Sequence, residues 1–438
     1  MITDDNKKLA QWAMEYALKN GCQAAKLVLY TNSNSSFELR DGKMDRLQQS
    51  TENGLGLNLY VDGRFGSFST NRLDKKELET LITNGIESTR YLAVDESRML
   101  ADPARYYKGG KPDLQLFDKK LYEVNPDDKV AIARAAAEVL GKDERIISVD
   151  SSYSDGEGSS YRLISNGFEG ESKSTWFSVS ASVSIKGEGE ARPQDYWYDS
   201  ALFYDKLTKT GIGAKALERV LRKLGQKKAK SGKYTMVVDP MNVGNLLSPM
   251  LSALYGSALQ QKNSFLMDKL DAKVASDLFT LRDEPHVIGA NGSRYFDNEG
   301  VATEPRTVFD KGVLKTYFID TYNGKKMNMA PTISTPSRLI LAPGDKDLNG
   351  LVADVKQGIL VTGFNGGNCN SSTGDFSYGI EGFLIEDGKL TQPVNEMNVT
   401  GNMVALWNSL VAVGNDPQPN RSWQIPSLVF EGVDFSGL

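Results

Sequence analysis

The sequence has one histidine, His286, in 438 residues. A single imidazole cannot build a multi-histidine metal centre. Zinc sites take three or four Cys, His or carboxylate ligands, and the two cysteines, Cys22 and Cys369, lie far apart in the chain. That spacing also excludes a disulfide framework and a CxxC redox or metal motif. No run approaches the roughly 18 apolar residues of a membrane-spanning helix. The opening residues, Met1 to Lys8, lack the apolar core of a secretory leader. A reducing, cytoplasmic compartment is the expectation.

An excess of basic charge is missing too. The chain carries 51 Lys and Arg against 56 Asp and Glu, a net charge of −5. Nucleic-acid binding rests on phosphate neutralisation by Lys and Arg, so no direct nucleic-acid partner is expected. The densest basic run spans Arg222, Lys223, Lys227, Lys228, Lys230 and Lys233. It reads as a helix end and linker, where cations complement the helix dipole. No G-x-S-x-G elbow, P-loop or G-x-G-x-x-G follows a strand and opens a helix.

What is present is ordinary soluble material, 40% hydrophobic and 24% charged, in a length that suggests two domains. Leu9, Trp12, Ala13, Tyr16 and Ala17 recur at helical spacing behind Thr3 or Asp4 as cap. Strand-like runs follow: 25–31, 35–40, 43–50, 55–61 and 64–69. Asp41-Gly42 and Asp62-Gly63 mark hairpin turns, because type I′ turns need positive φ. A second helix begins after Asp74. The order then recurs: a helix from Pro126 to about Leu140, strands over 146–154, 159–165, 168–173 and 178–186, and a helix over 207–224. The spacing predicts an α+β fold. Residues 1–225 form an N-terminal α+β domain with a helix–strands–helix order twice, about 1–100 and 125–225, as a duplication would give. Residues 234–438 form a β-rich domain with two helices, one over 242–261 containing Pro249 and one over 403–413.

Chemistry-bearing residues are scattered. His286 stands beside Pro285, and an isolated histidine of this kind reads as a hydrogen-bonded surface residue. Asp283, Glu284, Asp297, Glu299, Glu304 and Asp310 crowd one stretch and could suit Mg²⁺ or Ca²⁺, but without EF-hand spacing they read as solvated loop residues. Three glycine-bearing stretches are distinctive: 255–266, 363–382 and 413–417. Glycine density beside strands allows close backbone approach, in a turn or toward a ligand.

These stretches carry a resemblance. Thr373-Gly-Asp-Phe-Ser-Tyr-Gly-Ile-Glu-Gly-Phe-Leu-Ile-Glu-Asp-Gly-Lys389 is followed by Pro393-Val, Val399-Thr-Gly-Asn402, Gly414-Asn-Asp and Pro426-Ser-Leu. With Leu246 to Gly256, Asn263-Ser-Phe-Leu266 and Gly54-Leu-Gly-Leu, they resemble the TldD/PmbA family, named for modulating DNA gyrase. The resemblance covers essentially the whole chain. It implies a subunit of a zinc metalloprotease complex acting on peptides or unfolded segments. In that family the TldD-type subunit carries an HExxxH helix and a distal cysteine, and the PmbA-type (TldE-type) subunit lacks them. Here the first histidine position falls on Ser248, the glutamate on Pro249 and the second histidine on Ala253. The cysteine falls near Asn415 or Asp416. The resemblance is therefore to the PmbA-type partner, with no metal or cofactor on this chain and zinc on a TldD-like subunit. Asn263, Ser264, Gly374, Asp375, Phe376, Ser377 and Asn415 are the candidate peptide or partner contacts. The competing expectations are a stand-alone peptide-binding or structural homodimer, and a hydrolase with a non-standard site using carboxylates or His286.

Overall fold

The computed structural model describes residues 2–438. The first helix, α1 (Asp4–Lys19), opens on a capping box: the Thr3 hydroxyl accepts the Asn6 N–H, and the Asn6 side chain accepts the Thr3 N–H. Strands β1 (Ala24–Arg40), β2 (Lys43–Val61) and β3 (Arg64–Thr70) follow. Next comes α2 (Lys75–Thr89), capped by the Asp74 carboxylate. The second set is α3 (Pro126–Ala136), β4 (Ile146–Ile164), β5 (Phe168–Ile185), β6 (Gln194–Ala201) and α4 (Ile212–Leu221). All six strands form one antiparallel sheet in the order β3-β2-β1-β4-β5-β6. At Asp41-Gly42 and Asp62-Gly63 both φ angles are positive, as the type I′ turn requires.

The centre of this sheet differs from the sequence expectation. The runs read as separate strands on either side of residues 32–34, 51–54 and 155–158 are single long strands. Their polar middles are not turns, because pairing continues through them: Asn32, Ser33 and Asn34 of β1 face Glu52, Thr51 and Ser50 on one side and Gly158, Glu157 and Gly156 on the other. The period of two puts Leu27, Leu29, Phe37 and Leu39 on one face. Leu27 and Leu29 pack beneath α1 and α2, whereas Phe37 and Leu39 pack beneath α3 and α4. The polar middle therefore separates two apolar cores along one strand. A hydrogen-bonded group lies between them. Lys129 Nζ sits 2.7 Å from Asp155 Oδ2, with both side chains under 10% exposed, and it also donates to the Ser35 hydroxyl. Tyr153 and Ser35 donate their hydroxyls to the same carboxylate.

The second region begins with β7 (Gly232–Val238), α5 (Gly244–Ser252), α6 (Gly256–Gln260), β8 (Leu281–Asp283), β9 (Arg306–Asp310) and β10 (Val313–Leu314). It continues with α7 (Thr321–Met327), β11 (Leu339–Leu341), α8 (Leu348–Ala353), β12 (Gln357–Cys369), β13 (Asp375–Glu386) and β14 (Lys389–Asn402). It closes with α9 (Met403–Asn408), β15 (Leu410–Val413), β16 (Trp423–Gln424) and β17 (Leu428–Ser436). Two sheets form, ordered β14-β13-β12-β7-β17-β15 and β10-β9-β8-β11-β16. Their shared core is aromatic at its centre: Trp407 lies 4.4 Å from Phe279 and 5.6 Å from Phe430, ring to ring. Ile164 and Phe168, flanking the β4–β5 turn, are buried in this same core. Phe168 meets Phe296 at 5.1 Å, and a Cβ on Gly300 would come within 2.7 Å of its ring.

Several expectations change here. The region has more than two helices, since α7 and α8 are short elements capped by Asp320 and Asp347 that carry no long apolar period. The helix expected over 242–261 is two helices. Pro249 stays inside α5, and the break comes after Ala253, where Tyr255 is extended and bridges Phe318. Gly256 then packs so closely on α7 that a Cβ would lie 2.9 Å from Asn323. The helix expected over 403–413 ends at Asn408, and its apolar tail is β15. Residues 294–296 contribute a one-residue bridge, Phe296 to Ala302.

Two outcomes test this arrangement. Removing one partner of a buried ion pair leaves an uncompensated charge, so Asp155→Ala should lower unfolding stability by about 3–5 kcal/mol in urea titration. Asp239, at the end of β7, is buried and accepts the Asn242 N–H and side-chain amide; burial pushes its pKa up to about 6. A raised carboxyl pKa means the native state binds the extra proton, so this group's contribution to stability improves as pH falls through 6. The stability of the wild type relative to Asp239→Asn should therefore rise between pH 7 and about 4.5; a flat difference refutes the assignment.

Candidate functional site

The residues singled out by sequence gather around α5, α6 and the far end of the β12–β13 ribbon. Helix α5 buries Leu246, Leu247, Met250 and Leu251. Trp407 of α9 donates its indole N–H to the Leu246 carbonyl at 3.3 Å, pinning the helix to the aromatic core. Ser248 is exposed, Pro249 is half-buried, and Ala253, just past the helix, is 2% exposed. The segment after α6 folds back beneath this point. Ser264 Oγ donates to the Ala253 carbonyl at 2.6 Å and accepts the Leu266 N–H.

Asn263 links that segment to the ribbon. Its Oδ1 accepts from the Ser371 and Ser372 hydroxyls at 2.6 and 2.7 Å, and Phe265 N–H donates to the Ser371 carbonyl. The turn between β12 and β13 is organised by Asn370, whose Oδ1 accepts the Ser372 and Thr373 N–H groups. Gly374 has φ +80° and lies against the Phe265 ring, where a Cβ would approach to 3.1 Å. Asp375 accepts from the Asn402 amide and the Thr373 hydroxyl, which hold its carboxyl below the usual range. Phe376 is buried and stacks on Tyr378 at 5.5 Å. Ser377 is exposed on β13 opposite Asn368.

So Asn263, Ser264, Gly374, Asp375 and Phe376 form one connected group. Asn415 belongs to another, bonding the Asp345 and Lys346 carbonyls. Sequence reasoning missed Ser371, Ser372 and Asn370, which hold the group together. The signal was the Asn370-Ser-Ser-Thr-Gly374 run itself, whose side chains favour local backbone bonds. The glycine-rich stretch is also not a loop. Residues 363–369 continue β12, paired to β13 across register shifts. Strand β7 flanks β12 only through Val361, so among the described residues the outer edge of β12 from Gly363 to Asn368 has no strand beside it.

The positions that the resemblance aligns with a zinc motif have little donor chemistry. Ala253 and Pro249 offer no ligand atom, and Ser248 offers only a hydroxyl. Asp416 has a carboxylate, but both oxygens are engaged: Oδ1 accepts the Ser427 N–H, and Oδ2 accepts the Ser427 hydroxyl and the Leu348 N–H. It ties β15, the start of β17 and α8 together. These residues do not fit a zinc ion. Among the described residues no group of three or more His, Cys, Asp or Glu is placed to hold any metal ion.

His286 has a structural bond. Thr303 donates its hydroxyl to the Arg294 carbonyl, so at 3.0 Å the His286 Nε2–H donates to Thr303 Oγ1. Burial, and then the charge of Lys111, depress its pKa. The nearby acids organise loops. Asp283 accepts the Ser337 and Arg338 N–H groups. Asp297 accepts those of Glu299, Val301 and Ser334, and Glu299 takes the Thr321 N–H and hydroxyl. Glu284 pairs with Arg282, and Glu304 and Asp310 are exposed. Cys22 is buried with its thiol pushed up to about 11, and Cys369 is half-buried and free. No helix is long and apolar enough to cross a membrane among the described residues.

Comparison with known proteins matches three consecutive domains of the PmbA/TldA metallopeptidases: domain 1 at residues 25–89, the central domain at 119–224 and the C-terminal domain at 231–437. A Haemophilus influenzae protein named metalloprotease PmbA homolog is 27% identical over 98% of this chain and 96% of its own. The Escherichia coli O157:H7 metalloprotease PmbA is 26% identical over 98% and 97%. The crystal structure of a putative modulator of DNA gyrase from Bacteroides thetaiotaomicron is 74% identical over the whole of both chains, with a TM-score of 0.99. TldE from Thermococcus kodakarensis, 19% identical over 98% of this chain and 99% of its own, shares the fold with a TM-score of 0.83. Matched in all three domains, this chain belongs to the PmbA/TldD metallopeptidase family.

Proposed function

We propose that this protein is the PmbA/TldE-type subunit of a cytoplasmic TldD/TldE-type zinc metalloprotease that cleaves peptides or unfolded segments. The observation that carries the reading is the chemistry at these positions. Ser248 and Ala253 supply no zinc nitrogen, Pro249 has no carboxylate to act as a base, and the Asp416 carboxylate accepts three hydrogen bonds that hold loops. The hydrolytic water and its general base then belong to a TldD-like partner, where a metal ion would lower the pKa of that water. This chain's part is to complete the substrate cavity. The unflanked edge of β12 from Gly363 to Asn368 offers backbone N–H and C=O groups to an extended peptide. Strand addition of this kind binds through the main chain with little side-chain selectivity. Asn263 and the 370–375 turn, at the end of that ribbon, would meet the peptide or the partner. The acidic net charge gives no support to a direct DNA contact.

Mixing the purified chain with a TldD-like subunit should give a complex whose peptide cleavage exceeds that of either chain alone, with zinc on the partner. If the partner cleaves equally well alone and no complex forms by light scattering, the reading fails. A stable homodimer that ignores the partner would favour a stand-alone peptide-binding protein instead. Asp416→Ala should destabilise the chain by about 1–3 kcal/mol, the cost of unpaired N–H groups. It should leave the zinc content of the complex unchanged by metal analysis; a loss of zinc would make Asp416 a ligand after all.

A further inference from the structure

A second site lies where the N-terminal sheet meets the second region. A cleft of about 650 Å³ opens there between β4–β5, the 107–116 connection and residues 293–298. Such a volume suits a small organic ligand. Its wall contains two guanidinium groups, the buried Arg162 and the half-buried Arg294, close enough for the charge of one to act on the other. A buried charge is costly unless a counter-charge meets it. Neither has one in contact. Arg162 is 9% exposed; it donates to the Asp297 carbonyl at 2.7 Å and the Asn298 amide oxygen at 3.2 Å, and its Nε has no partner. Arg294 donates only to neutral oxygens of Thr335, Pro336 and Ser337.

The nearby acids act from outside contact distance. Asp297 attracts both guanidinium groups and Asp283 attracts Arg294, but neither pairs with them, and the Asp297 carboxylate accepts three backbone N–H groups. Asp113, on the cleft wall, accepts the Gln115 N–H. Glu171, on the cleft wall, is paired to Lys7 at 2.6 Å. Beside the guanidinium pair stands an aromatic wall: Tyr107 and Tyr295 stack at 5.1 Å with their planes 11° apart. Lys111 Nζ lies 5.4 Å over the Tyr295 ring and adds a third cation. Positive charge with no carboxylate in contact, next to a flat apolar surface, is complementary to a carboxylate that carries an apolar or aromatic group.

We propose that this cleft binds a small organic carboxylate, with its charge facing Arg162 and Arg294 and its apolar part on the Tyr107–Tyr295 stack. The carboxylate comes either from a free aromatic acid or from the C-terminus of a short peptide. The site is separate from the zinc-ligand positions, and binding is measured on the purified full chain without a partner subunit.

Isothermal titration with 3-phenylpropionate, Gly-Phe and Gly-Phe-amide decides it. At least one acid should saturate the chain with 1:1 stoichiometry, and the amide should bind at least about tenfold more weakly, since it lacks the charge. The tighter acid identifies the source. Arg162→Gln should weaken the acid about tenfold or more. If that variant does not fold, the exposed Lys111→Gln replaces it, with a several-fold loss expected and a parallel loss in high salt. Equal binding of acid and amide overturns the proposal, as does absence of saturation up to about 10 mM ligand or insensitivity of a folded variant.

Discussion

The pairing of β1 with β4 is the constraint on which the N-terminal half depends. The two strands run antiparallel from Lys26–Ile164 to Arg40–Asp150 without a slip. This pairing places α1 and α2 over one end of the sheet and α3 and α4 over the other. A shift of one residue would turn Leu27, Leu29, Phe37 and Leu39 away from both helix pairs at once. The polar group of Lys129, Asp155, Ser35 and Tyr153 lies in the gap between the cores and is satisfied only in this register. The same pairing aims the β4–β5 turn into the second region, where Ile164 and Phe168 become part of its core.

That insertion connects architecture to chemistry. Burying the end of the first sheet in the second region creates an interface with polar walls, in which Arg162 faces neutral oxygens and Lys26 is held down to about 8 by burial and by Arg162. The aromatic core around Trp407 holds α5 from the opposite side. The buried face of α5 does the packing, and its outward face carries Ser248 and the half-buried Pro249.

The class of fold was legible in the sequence through periodicity and turns. The Asp-Gly hairpins, the Thr3 and Asp74 caps and the alternation of β5 are local signals, each fixed by a few neighbouring side chains. The long strands were not legible as single elements. A Ser/Asn-rich stretch such as 32–34 reads as a break between strands by composition, and becomes strand only because both neighbours bond it. The break after Ala253 was equally hidden, since it depends on Tyr255 meeting Phe318 and Gly256 meeting Asn323, partners more than 60 residues away.

The sequence by itself determined what this chain cannot donate: one histidine, two separated cysteines, and no ligand atoms at Pro249 or Ala253. Composition is enough for that, because a missing side chain cannot be supplied by folding. Only the tertiary structure decided what the remaining polar groups do. Asp416 could have been a ligand by its chemistry, but its oxygens are taken by Ser427 and Leu348. His286 is bonded through Nε2 to Thr303, a partner supplied by a different loop. Arg162 and Arg294 were unremarked in sequence and come together without a carboxylate between the two regions. Whether a group is free depends on which partners lie within about 3 Å, and those partners come from distant parts of the chain.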